Sequence, residues 1–93
     1  MTIDDILYPF YLEYYSQREG FCERNLAVVE KIFANNSDGG KFWFNYVRAK
    51  NGDMCFSVSS IFKNKLIHNH VGYSNKDIAL MSIIHALHTG SLS

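Results

Sequence analysis

The chain reads as an α+β domain: two N-terminal helices, an antiparallel β-hairpin with a candidate third strand, and a C-terminal helix. Three observations predict this class. Apolar residues recur at three- and four-residue intervals from Ile3 to Tyr14 and from Leu26 to Phe33. From Lys41 the period drops to two on either side of Asn51-Gly52, and from Leu80 the helical spacing returns. With 93 residues there is room for one hydrophobic core, so residues 1–93 are expected to form a single domain.

Thr2, with Asp5 three positions on, matches a capping box, which places the start of the first helix at Ile3. Ile3, Ile6, Leu7, Phe10, Tyr11 and Tyr14 form one apolar face and carry the helix to about Tyr15. Pro9 lacks an N–H and crowds the Asp5 carbonyl. Either it kinks this helix, the reading adopted here, or it opens a separate one. After Gly20, the stripe Cys22, Leu26, Val29, Ile32 and Phe33 predicts a second helix from Phe21 to Ala34. The run Asn35 to Gly40 then ends it. Asn35-Asn36-Ser37 also matches a glycosylation acceptor, set aside because no secretory signal is read.

Phe42 to Lys50 and Asp53 to Ile61 flank Asn51-Gly52, a pair suited to a two-residue type I′ turn. That loop would pair Lys50 with Asp53, Ala49 with Met54, Val47 with Phe56 and Asn45 with Val58. One face then carries Trp43, Val47, Ala49, Met54, Phe56 and Val58, the expected core. The other carries Phe42, Phe44, Tyr46, Cys55, Arg48, Lys50 and Asp53, with Ser57 and Ser59. Phe62 to Tyr73 reads as a third strand or as a short turn and loop. Two strands alone are only marginally stable, so helices must cover the hairpin or the sheet must gain a strand, from this chain or a second copy. Ser74 and Asp77 repeat the capping-box spacing, and Leu80, Ile83, Ile84 and Leu87 predict a helix from Asn75 to His88, terminated by Gly90.

The composition excludes several classes. With 47% hydrophobic and 19% charged residues, the chain is too apolar for disorder. Its uninterrupted apolar runs, such as Phe42 to Phe44, fall far short of the roughly 18 to 20 residues that cross a bilayer, so no membrane partner is expected. Asp4 and Asp5 stand where a secretory signal carries basic residues, so a cytoplasmic location with Cys22 and Cys55 reduced is expected. The net charge is zero, but residues 1–35 carry six acidic and three basic side chains, and residues 36–72 two acidic and five basic. That asymmetry suits steering of a charged partner.

His68-x-His70 and His85-x-x-His88 have metal-ligand spacing, yet no close cysteine pair accompanies them. No metal or other cofactor is expected. Cys22 lies on an apolar helix face and Cys55 alternates within a strand, which reads as inert thiols rather than a Cys/His nucleophile. Gly39-Gly40 precedes a strand, not a helix, so no phosphate loop is present. The chain is therefore expected not to be an enzyme.

Seven Phe, six Tyr and one Trp make 15% of the chain, more rings than so small a core can bury. Tyr8, Tyr11, Tyr14 and Tyr15 spread around the first helix, so one or two must face outward. Phe42, Phe44 and Tyr46 share a hairpin face that is either covered by a helix or exposed. With Arg48, Lys50, Lys63 and Lys65 they form the candidate binding surface. Two functions fit such a surface. The preferred one is a small protein-binding module, an inhibitor of another protein, comparable in size and composition with phage anti-defence inhibitors and toxin-immunity proteins. The alternative is a single-stranded nucleic-acid binder that stacks bases on the rings and holds phosphates on the cations.

Overall fold

A computed structural model describes residues 2–92. The elements are α1 (Ile3–Ser16), α2 (Phe21–Asn36), β1 (Lys41–Arg48), β2 (Met54–Phe62), β3 (Lys65–Tyr73) and α3 (Lys76–Thr89). The strands form one antiparallel sheet in the order β1-β2-β3, so each pairs with its sequence neighbour and β2 is central. This is the α+β class expected from the sequence, with the third strand formed.

The helices follow their signals closely. Asp5 N–H donates to Thr2 Oγ1 at 3.3 Å, and Thr2 N–H donates to Asp5 Oδ2 at 3.2 Å, completing the capping box of α1. α1 runs through Pro9 as a single helix. Pro9 is exposed, so its ring meets water, and the cost is the missing bond to the Asp5 carbonyl. The capping of α3 differs from expectation. Asn75, not Ser74, is the N-cap, its Oδ1 accepting Ile78 N–H at 2.9 Å. Asp77 instead accepts Cys22 N–H at 2.8 Å, so one carboxylate on the first turn of α3 satisfies a free donor on the first turn of α2.

The hairpin register is shifted by one residue from the expected one. Ala49 N–H bonds the Asp53 carbonyl at 2.7 Å and Gly52 N–H the Ala49 carbonyl at 2.9 Å, enclosing three residues instead of two. Gly52 alone takes the left-handed conformation, at φ 93°, and Asn51 Oδ1 caps Asp53 N–H at 3.0 Å. A type I′ turn needs two successive left-handed residues. That geometry occurs at the other hairpin tip, where Lys63 and Asn64 have φ of 51° and 66° between the paired Phe62 and Lys65.

The slip turns β2 over relative to β1. Arg48 pairs with Met54, Tyr46 with Phe56, Phe44 with Val58 and Phe42 with Ser60. Phe42, Phe44 and Tyr46 thus share the helix-covered face with Phe56, Val58 and Phe62, while Trp43, Asn45 and Val47 lie opposite with Cys55, Ser57, Ser59 and Ile61. The expected core face is split between the two sides. α2 packs on β1 and α3, α3 on β2 and β3, and α1 chiefly on α3. The core is largely aromatic: Phe33 meets Phe42 and Phe62 edge-on at 5.2 and 5.6 Å, and Phe21 meets Tyr14 at 5.4 Å. Among the described residues no helix is long and apolar enough to cross a membrane.

Candidate protein-binding surface

The sheet does not gather the seven expected site residues. Phe42 is 5% exposed and lies against Phe33. Phe44 is half-buried beside it, and Tyr46, 64% exposed, tilts over Phe56 at 5.0 Å. Arg48 closes β1 and donates to the Gly52 carbonyl at 3.1 Å, with Lys50 in the adjoining loop. Lys63 and Lys65 sit at the β2–β3 tip, at the far end of the ladder and roughly 26 Å away by strand rise. Tyr46, Arg48 and Lys50 therefore share one end of the sheet. Phe42 offers no ring face to a base, and Lys63 Nζ rests 5.5 Å over the Phe62 ring.

The histidines are dispersed. His68 Nδ1 lies 2.9 Å from Ser59 Oγ on the uncovered sheet face, where Asn45 Nδ2 also donates to Ser59 at 2.8 Å. Ser59 is buried between these neighbours, so its oxygen is closed to a substrate. His88 Nδ1 pairs with Asp4 Oδ1 at 2.8 Å, and His85 Nδ1 faces Tyr11 Oη at 3.5 Å. Among the described residues no three His, Cys, Asp or Glu side chains converge as a metal site. Cys22 is buried, and that burial, with Asp77 beside it, pushes its thiol above the usual range, the opposite of an activated nucleophile.

The most prominent exposed apolar surface on the helices lies on α1. Leu7, Phe10 and Tyr14 face the core, and a second stripe, Tyr8, Leu12 and Tyr15, faces water at 62%, 55% and 72% exposure. Spacings of four and three residues put these side chains side by side on the helix surface. α1 stays open on this side because it docks chiefly on α3. Asp4 and Asp5 adjoin the stripe at its N-terminal end, and α1 contains no lysine or arginine.

Beside the stripe, an open groove runs along the α1–α3 seam, lined by Tyr11, Tyr14, Tyr15 and Tyr73 with Met81 and His85. Burial pushes the Tyr11 phenol above its ordinary pKa, and the nearby Tyr15 and Asp4 add to the effect. Arg18 lies across the Tyr14 ring at 5.1 Å. No protein-family model, curated protein or solved structure matches this chain. The functional reading therefore rests on the surface alone. Sequence inspection had the tyrosines but not the stripe, because Leu12, the residue that joins Tyr8 to Tyr15, falls outside the core periodicity.

Proposed function

We propose that the chain is a small, non-enzymatic protein-binding module that inhibits its partner by covering it, with α1 as the contact element. The observation that carries this reading is the Tyr8–Leu12–Tyr15 stripe, three large apolar side chains more than half exposed on one helix face. Such a stripe is the usual offering of a helix to a groove on another protein, and tyrosine adds contact area at little rotamer cost. Inhibition by occlusion needs no reactive group, which suits the dispersed histidines and the buried cysteine. The finer comparison with phage anti-defence and toxin-immunity inhibitors rests on size and composition.

The test is capture from cell lysate by the immobilised full chain, with and without nuclease, followed by affinity measurement on the recovered protein. Leu12→Ala and Tyr15→Ala should each weaken that protein by about 2 kcal/mol, roughly thirtyfold, while leaving the melting temperature nearly unchanged. Recovery of nucleic acid, with both variants binding as well as the parent chain, would sink the reading in favour of the single-stranded nucleic-acid alternative. A second copy of the chain as the occupant would appear as a Leu12-dependent dimer in sedimentation.

A further inference from the structure

We propose that the outer edge of β1 pairs with the same edge of a second copy of the chain, antiparallel and centred on Asn45, so that two three-stranded sheets join as one. β1 pairs only with β2, which leaves one row of its backbone N–H and C=O groups without a strand partner. The Ala49 N–H, bonded to the Asp53 carbonyl, fixes which row this is. Because the direction alternates along a strand, Trp43, Asn45 and Val47 aim their backbone groups at β2, and Phe42, Phe44, Tyr46 and Arg48 aim theirs outward. Sheets normally protect such an edge with a bulge, a proline or a charge set within the strand. β3 has the bulge, since its register jumps between Asn69 and Tyr73. β1 has none of the three: its register runs unbroken from Lys41 to Arg48, and its charges stand only at the two ends.

The side chains of β1 identify the second copy as the occupant. In a two-fold antiparallel pairing, residues opposite each other must share a face, which requires positions of the same parity. Centred on Asn45, the pairing sets Tyr46 against the second copy's Phe44 and Val47 against its Trp43. Tyr46 and Val47 are the large apolar residues that β1 leaves exposed, at 64% and 39%, and this register covers both. Residues aimed outward then meet residues aimed outward, Phe44 with Tyr46 and Phe42 with Arg48, so each such pair exchanges two hydrogen bonds. Lys41 falls opposite Ala49 and Arg48 opposite Phe42, so no like charges stand directly opposite. Centred instead on Phe44, the pairing would set Val47 against Lys41 and Tyr46 against Phe42, which is already buried. The contact lies on a different element from the α1 stripe and stands independently of the protein-binding reading.

The experiment is sedimentation equilibrium of the full chain from about 10 μM to about 1 mM, with amide hydrogen exchange read across the same range. A reversible dimer is expected, with the Phe44 and Tyr46 amides gaining protection as concentration rises and the Asn45 and Val47 amides protected throughout. Asn45→Asp sets two carboxylates opposite each other at the two-fold axis and should weaken the dimer about fivefold or more. Asn45→Lys should weaken it likewise, and an equimolar mixture of the two chains should recover it as a mixed dimer, an outcome that a merely destabilised fold would not give. Leu12→Ala should dimerise as the parent does. A monomer at about 1 mM, a dimer unmoved by Asn45→Asp, or no recovery in the mixture overturns the inference. So does a dimer lost in Leu12→Ala, which would place the contact on α1. Where a substituted chain does not melt cooperatively, the parent's exchange decides: concentration-dependent protection at Phe44 and Tyr46 supports the pairing, and its absence there overturns it.

Discussion

Glu13 shows how much one side chain joins in this fold. Its Oε2 accepts from Asn25 Nδ2 at 2.7 Å and from Arg24 Nε at 3.0 Å, fastening α1 to the first turn of α2. The Asn25 hydrogen bond, then the Arg24 bond and charge, hold the Glu13 carboxyl below the ordinary glutamate range, against a partial desolvation that opposes them. A carboxyl whose pKa is lower in the folded state stabilises the fold above its unfolded pKa, and that contribution is lost as pH falls through the folded value. The melting temperature should therefore decline as pH drops below the ordinary glutamate range, and Glu13→Gln should flatten part of that decline. A parent and variant with parallel acid limbs would remove Glu13 from the account. The effect is expected to be modest, because both partners of the ion pair are more than a third exposed. The capping box at Thr2 and Asp5 was legible from sequence because both partners lie within one turn. The Glu13 cluster was not, since it forms only when the turn between α1 and α2 folds back.

At the scale of elements, the hairpin offers the sharpest contrast. Phe42→Ala should cost about 3 to 5 kcal/mol, because it empties a site against Phe33 in the core. Val47→Ala, on the exposed opposite face, should cost about 0.5 kcal/mol or less. Denaturant titration of the two variants measures both, and the expected two-residue loop would reverse the order. The helices were readable because each carries an apolar stripe of one period, and the hairpin itself because the period changes at Lys41. Its faces were not readable. Apolar residues occupy both alternations, Phe42-Phe44-Tyr46 and Trp43-Val47, and Asn51-Gly52 serves a three-residue loop as well as a two-residue one. With the pattern undecided, one extra loop residue settled every facing. β3 was obscured differently. As an edge strand it tolerates the polar run His68-Asn69-His70, and its tight turn uses Lys63-Asn64, without the glycine that usually marks one. The same blurring hid the exposed stripe on α1, since Leu12 lies outside the rhythm of the core.

For the whole molecule, the two hairpins pair neighbouring segments, whereas the seam between α1 and α3 joins residues as far apart as Asp4 and His88, 84 positions in sequence. Closing so long a loop is entropically the most demanding step, and it is compensated only once α3 is in place on the sheet. α1 should accordingly be the last element to dock and the first to leave. Native-state hydrogen exchange tests this: amides of α1 should exchange through smaller openings than those of β2, which is paired on both sides. Uniform protection across α1 and β2 would contradict it. The groove exists only when that seam is shut, so it is absent from a chain still on its way to the native state. Anything that needs both walls of that groove would meet only the finished fold, and binding and folding would share a single final gate.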